Sequence, residues 1–121
     1  MMAPEEYRKA RDGAQFHLQL KVSKVTPPAH FPGLCVVDGT VAAVFRGVLG
    51  AGAPMRLEVS CKRDQDRARP GGEHWMRWEE LERARFLEAY VNREGGGYAI
   101  AAWQSAIIAA PTPKPRFFGK E

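Results

Sequence analysis

Residues 41–61 run VAAVFRG, VLGAGAP and MRLEVSC in succession, and this stretch decides how the chain folds. In its last seven residues polar side chains alternate with apolar ones, at Met55, Leu57, Val59 and Cys61. Successive strand side chains point to opposite faces, so the alternation predicts a strand buried on one face. The Val-rich first seven residues predict a second strand, and the Gly-rich segment between the two predicts a β-hairpin connection.

The same Gly-rich segment has a second interpretation, as a loop that cradles a phosphate group. A phosphate loop has the pattern Gly-x-x-x-x-Gly-Lys-Ser/Thr and opens a helix. Gly47 and Gly52 have the first spacing, but Ala53 and Pro54 follow them and a strand comes next. The sequence therefore favours a turn over a phosphate site.

Strand patterns dominate the rest of the chain. Residues 16–25 read as a strand whose apolar and polar side chains alternate over residues 16–23, residues 34–46 are rich in β-branched side chains, and residues 98–110 form an apolar run. We expect residues 34–46 to form one long strand with a bulge or bend at Gly39. A hairpin turn at Asp38 and Gly39 is the alternative.

A short helix is predicted between the third and fourth strands. Apolar side chains recur at helical spacing in residues 76–84, but Phe86 leaves that face. Residues 85–92 are therefore predicted as a strand. One helix over residues 76–92, ended by the glycines that follow, is the alternative.

Three strands, a short helix and two strands follow one another along residues 15–110. This order resembles the OB-fold, a small five-stranded barrel that is partly open. We therefore expect a mostly-β fold class, an OB-like five-stranded barrel with one short helix between strands 3 and 4. A flexible arm over residues 1–14 and a Pro-rich tail over residues 111–121 are expected to flank this single domain.

The segments VAAVFRG and MRLEVSC are also similar to a strand pair of netrin-like and tissue-inhibitor-of-metalloproteinase-like domains. There a Val-rich strand ends in a basic residue and Gly, and the next strand leads to a Cys. The matching positions here are Arg46, Gly47 and Cys61. Those inhibitors carry a cysteine at their mature N-terminus, whereas the first cysteine of this sequence is Cys35. The likeness implies a shared barrel type and does not imply metalloproteinase inhibition.

Composition places the chain among ordinary globular domains. With 121 residues, 45% of them hydrophobic and 26% charged, it can build a core without metal or disulfide staples. Cys35 and Cys61 match no zinc spacing, so we expect two partly buried thiols, with a disulfide as the alternative. The sequence has no bilayer-length apolar run and no apolar signal stretch at its start. We expect a cytoplasmic protein, unless a signal peptide has been removed.

The sequence contains no recognisable catalytic constellation. His17, His30 and His74 have no partners at a metal-binding spacing, so we expect them on the surface, with no metal and no cofactor. The leading hypothesis is a non-enzymatic binding module for an unknown protein or small ligand. We expect a monomer without a membrane partner. An enzyme whose site is assembled only in space ranks last.

A net charge of +4 and a pI of about 9.3 permit an acidic partner. The alternative function is single-stranded nucleic-acid binding through the basic loop at residues 62–69, where phosphate neutralisation can combine with base stacking. The residues that would carry it are Arg56, Lys62, Arg63, Arg67, Arg69 and Trp75.

Overall fold

A computed structural model describes residues 3–66 and 74–117. Its elements in chain order are α1 (Pro4–Gly13), β1 (Phe16–Thr26), β2 (Gly33–Arg46), β3 (Pro54–Lys62), β4 (Met76–Arg77), α2 (Trp78–Leu81), β5 (Phe86–Glu94) and β6 (Gly97–Ile108). The strands form one curled sheet, a half-barrel, in the order β4-β3-β2-β1-β5-β6. Neighbouring strands are antiparallel except for the pair β3 and β4.

The predicted fold class, mostly β with a short helix after the third long strand, is confirmed. The sheet has six strands rather than five, because the two-residue β4 pairs with the end of β3. The single-helix alternative for residues 76–92 is wrong. β5 pairs with β1 and places Leu87 and Val91 in the core, which a continuation of α2 would not do.

β2 is one continuous strand through Gly39, as the sequence predicts, but the bulge opposite Gly39 lies on β1 and not on β2. Its register with β1 slips where Val22 faces Gly39 and Lys24 faces Asp38, which leaves Ser23 as the extra residue. A Cβ atom on Gly39 would lie 2.9 Å from Leu20 Cγ and closer still to the Lys21 carbonyl oxygen. Only glycine therefore allows this approach. The predicted turn after β2 is also confirmed, since the Gly-rich segment joins β2 to the antiparallel β3.

The two cysteines form a disulfide in the core. Cys35 on β2 and Cys61 on β3 are fully buried, and their Cα atoms lie 5.9 Å apart. The expectation of two thiols is therefore wrong, and the alternative is what the structure shows. The separation matches the usual range for a disulfide because the residues sit on neighbouring strands, a proximity that sequence spacing does not reveal.

A second layer covers the outer face of β1. The alternation of residues 16–25 predicts an exposed polar face, yet His17 and Gln19 are both at most 5% exposed. Ala10 of α1 and Phe117 pack on Tyr90 of β5, the strand next to β1. The expectation that His17 lies on the surface is therefore wrong. Residues 4–13, inside the predicted arm, form α1; the flexibility of that arm stays a prediction.

Glu88 anchors the C-terminal segment to the sheet. Its carboxylate is fully buried on β5 and accepts hydrogen bonds from Gln19 Nε2 at 2.7 Å and His17 Nε2 at 2.7 Å. It also accepts from the main-chain N–H groups of Arg116 at 2.9 Å and Phe117 at 2.8 Å. Four donors on one carboxylate bring the Pro-rich segment back onto the sheet.

The pKa values of Glu88 and His17 are both lowered, but for different reasons. Burial alone would raise the pKa of the Glu88 carboxyl, but the hydrogen bonds from Gln19, Arg116, His17 and Phe117 outweigh burial and lower it. The pKa of His17 is also lowered, chiefly by burial. His17 is therefore neutral at pH 7, with its Nε2–H donating to Glu88.

Glu88→Gln is expected to lower the free energy of unfolding by about 2–4 kcal/mol at pH 7. The new amide N–H points at groups that are themselves donors, so buried donors lose their acceptor. Glu94→Gln, at the exposed end of the same strand, is the matched control and should change stability by less than about 0.5 kcal/mol. Urea denaturation measures both variants, and equal effects would show that Glu88 does not anchor the segment.

Acid is expected to destabilise the wild-type protein in two steps. Both folded-state pKa values are depressed, so the unfolded chain takes up protons first, and stability falls as pH decreases. The His17 contribution is lost as pH falls below about 6.5 and the Glu88 contribution below about 4.3, the unfolded values. Urea midpoints measured from pH 8 to pH 3 test this. In Glu88→Gln the step below about pH 4.3 should be smaller than in Glu94→Gln.

Candidate ligand-binding groove

A groove of about 840 Å³ lies along the open side of the half-barrel. β3 and β4 contribute residues from one side and β6 from the other, with Tyr7 of α1 and Phe117 also in the lining. Within the described residues, no strand pairs with the outer edge of β6 or with the outer edge of β3 before Cys61. The groove therefore lies between two strand edges whose hydrogen-bonding groups have no strand partner.

β6 departs from regular pairing where it lines this groove. Its register with β5 jumps from the pair Ala89 and Ser105 to the pair Val91 and Ile100, so residues 101–104 form a bulge. Ala102 has φ 44° and Trp103 has φ 58°, in the left-handed region. That conformation costs an L-residue about 1–2 kcal/mol, and such residues cluster at functional sites.

Two buried polar side chains brace the bulge. Gln104 donates from Nε2 to the Ala102 carbonyl oxygen at 3.1 Å. Its Oε1 accepts a hydrogen bond from Arg11 Nη1 of α1 at 2.9 Å. Helix α1 thus supports the strained segment, and the Trp103 side chain lines the groove.

Aromatic rings form much of the groove surface. The His74 ring stacks on Trp103, with centroids 6.0 Å apart and an interplanar angle of 18°. Tyr7 Oη lies 2.9 Å from His74 Nε2. Trp75 Nε1 is buried in the groove wall and has no acceptor among the described residues. A buried N–H without a partner is costly to the folded state.

Among the described residues of the groove, the charged group without an ion-pair partner is a carboxylate. Arg77 donates to Asp64 from Nε at 2.7 Å and from Nη2 at 2.8 Å, and to Glu80 from Nη1. Its guanidinium is thus occupied by two carboxylates. Glu58 on β3 is exposed and has no charged partner in the described part of the chain. A cationic group on a ligand is therefore better matched to this groove than an anionic one.

The residues of the nucleic-acid alternative are held by neighbouring acids and a carbonyl. Arg56 Nε donates to Asp38 at 2.7 Å. Arg63 Nη2 donates to the Asp66 carboxylate at 3.0 Å, and Lys62 Nζ lies 3.4 Å from the Asp66 carbonyl oxygen. These contacts reduce the positive charge that is free for phosphate groups.

Three residues of that alternative remain. Arg67 and Arg69 lie outside the described residues. Trp75 lines the groove, away from the Arg56–Asp38 pair, which lies outside the lining. The structure therefore brings only part of the predicted set to the groove, and nucleic-acid binding stays a prediction.

Sequence reasoning missed most of the groove. Tyr7 belongs to a segment predicted as an arm, and Trp103 to a run predicted as a regular buried strand. Phe117 follows three prolines in the segment predicted as a tail. Trp103 stands out in the sequence as a large aromatic residue in an Ala-rich strand, and this could have marked it as a site residue. It does not indicate that the strand forms a bulge there.

Among the described residues, no group of three or more His, Cys, Asp or Glu side chains is placed to hold a metal ion. In the same part of the chain, no helix has the length and apolar character needed to cross a membrane. No family model, curated protein or solved structure matches this chain. The groove is therefore interpreted from its own geometry.

Ala102→Gly is expected to leave stability unchanged or to raise it, although glycine normally weakens a strand. Relief of the left-handed conformation, about 1–2 kcal/mol, offsets the entropy cost of glycine, about 0.5–1 kcal/mol. Ala106→Gly, in the regularly paired part of β6, is the matched control and should lose about 0.5–1 kcal/mol. Thermal unfolding of the two variants compares them, and equal losses would mean that Ala102 is not strained in solution.

Proposed function

We propose that this protein is a non-enzymatic binding module that takes an extended peptide into the groove, against the strand edges of β3 and β6. The observation that carries the proposal is that no strand among the described residues pairs with the outer edge of β6 or with the outer edge of residues 54–59 in β3. Free strand edges present rows of N–H and C=O groups that pair with an incoming strand, and side-chain pockets then add specificity. The groove volume lies within the usual range of ligand sites, about 300–1,000 Å³.

The lining indicates which peptide chemistry fits. Trp103 and Tyr98 offer flat apolar surfaces to the side chains of the peptide. Glu58 offers a carboxylate to a basic side chain. Because alternate side chains of a strand face opposite ways, the preferred segment alternates apolar residues with Lys or Arg.

Beyond the curled half-barrel itself, the strand order supports an OB-like architecture. β1 pairs with both β2 and β5, and the helix α2 stands before the hairpin of β5 and β6. That arrangement is the one expected of an OB-like barrel left open between β3 and β6. Small barrels carry many unrelated functions, so the peptide proposal rests on the groove and not on this likeness.

The disulfide between Cys35 and Cys61 gives information on the cellular compartment of the protein. The sequence predicts a cytoplasmic protein, but disulfides persist mainly in oxidising compartments. We infer that the bonded form of Cys35 and Cys61 belongs to a protein exposed to an oxidising environment. Thiol titration of the unfolded, unreduced protein tests this: no reactive thiol is expected, and two would contradict it.

Selection from a phage-displayed library of random octapeptides tests the peptide proposal. Enriched peptides should alternate apolar and basic residues, and fluorescence anisotropy of a labelled selected peptide then gives its Kd. Trp103→Ala and Glu58→Lys are each expected to weaken binding at least about tenfold, equivalent to about 1.4 kcal/mol. The first removes the stacking surface and the second reverses the charge.

Val48→Ala is the control for these variants, because it truncates an apolar side chain that is 93% exposed in the β2–β3 connection. It should bind like the wild type. Peptides whose affinity survives both Trp103→Ala and Glu58→Lys would contradict the proposal, as would peptides enriched in Asp and Glu. Amide NMR shifts confined to residues that do not line the groove would contradict it as well.

The nucleic-acid alternative is supported by the aromatic groove and opposed by its free carboxylate. Titration with a fluorescent oligothymidylate at low and high salt separates the two functions. Affinity that falls steeply with salt would favour the nucleic-acid alternative, since phosphate contacts release counterions. Under the peptide proposal, no binding is expected even at low salt.

A further inference from the structure

A second pocket, of about 360 Å³, lies beside the last turn of α1. The charged side chains that line it are Arg8, Arg11, Asp12 and Arg46. His17 and Tyr90 complete its polar surface, and Pro115 adds an apolar one. None of these residues lines the groove, so the pocket is a separate site.

Arg11 is a buried cation. Its side chain is 4% exposed, and among the described residues it donates one hydrogen bond, to the neutral amide oxygen of Gln104. No carboxylate forms an ion pair with Arg11 in the described part of the chain. A buried charge is costly unless it is paired, and a guanidinium has five N–H donors to satisfy. The donors that Gln104 does not use remain available to an anion.

Arg46 brings a second guanidinium to the same pocket. Its Nη1 donates to the carbonyl oxygens of Arg11 and Ala14 at the end of α1, and its Cζ lies 5.9 Å from the Tyr90 ring centroid. Those contacts hold the side chain in place while leaving its other donors uncommitted. A fixed guanidinium fork is well suited to carboxylate and phosphate groups.

Arg11 and Arg46 outnumber the acid in the lining. Asp12 is that acid, against the two guanidinium groups. Glu88 is an ionised carboxylate that lies behind His17 and does not line the pocket, and it accepts four hydrogen bonds from neighbouring groups. The Tyr90 hydroxyl donates to the Phe117 carbonyl oxygen, and burial raises the pKa of that hydroxyl, so Tyr90 stays neutral at pH 7.

We propose that this pocket binds a small organic oxyanion, a phosphate monoester or carboxylate, whose anionic group pairs with Arg11 and Arg46. The volume exceeds what a bare inorganic anion needs, since a water molecule takes about 30 Å³ of the liquid. The ring of Tyr90 and the side chain of Pro115 line the same space and offer a surface to a compact apolar body. This site is independent of the peptide groove.

Isothermal titration calorimetry with phenyl phosphate tests the proposal, with inorganic phosphate, benzoate and phenol as comparison probes. Phenyl phosphate and benzoate should bind, phenyl phosphate at least tenfold more tightly than inorganic phosphate. Phenol should not bind. Inorganic phosphate that binds as tightly as phenyl phosphate would overturn the organic ligand class, and phenol that binds equally would overturn the role of the anion.

Arg11→Met is expected to weaken phenyl phosphate binding at least tenfold, and Arg11→Lys less, because lysine keeps the charge but loses the fork. Arg83→Met, an exposed site with the same change in net charge, is the matched control and should bind like the wild type. Unchanged affinity in Arg11→Met would overturn the proposal.

A measurement on the wild-type protein covers the case in which Arg11→Met does not fold. Addition of phenyl phosphate should shift the NMR signals of the Arg11 Nε–H and of the Tyr90 ring. Shifts confined to Trp103 and β3 would place the anion in the groove and overturn the proposal. The peptide proposal is tested with variants of Trp103 and Glu58, and the anion proposal with variants of Arg11. Failure of one proposal therefore leaves the other testable.

Discussion

Incomplete closure of the sheet is the constraint on which the rest of this protein depends. A sheet that curls must either pair its first and last strands or leave both edges with unsatisfied N–H and C=O groups. Here β3 and β6 approach each other without pairing, and a groove of about 840 Å³ occupies the gap. The disulfide within β2 and β3 and the bulge in β6 shape its two walls. The proposed peptide site is a consequence of this gap.

A second layer outside the sheet gives both candidate sites their form. Helix α1 supplies Tyr7 to the groove and Arg11 to the anion pocket. The segment held by Glu88 supplies Phe117 to the groove and Pro115 to the pocket. Each site therefore combines a strand of the sheet with a terminal segment of the chain, and the buried hydrogen bonds of Glu88 connect the stability of the fold to the geometry of both.

The charged residues of the two candidate sites differ from the other charged residues in whether they have an ion-pair partner. Arg56, Arg63 and Arg77 each contact a nearby carboxylate, and such exposed pairs contribute little to stability. Glu58 and Arg11 differ, because neither has a charged partner among the described residues. The first faces the groove and the second is buried at the pocket. A ligand of opposite charge would pair with each of these two groups in its concave site.

The sequence by itself determined the mostly-β class, the continuity of β2 through Gly39, the hairpin after β2 and the strand at residues 85–92, because alternation and glycine placement are local signals. It did not determine whether the two cysteines meet, since strand pairing decides that. It also missed the burial of His17, because alternation identifies the face opposite the core but not what covers that face. Bulge, groove and pocket arise where segments distant in sequence meet, so only the tertiary structure decided them.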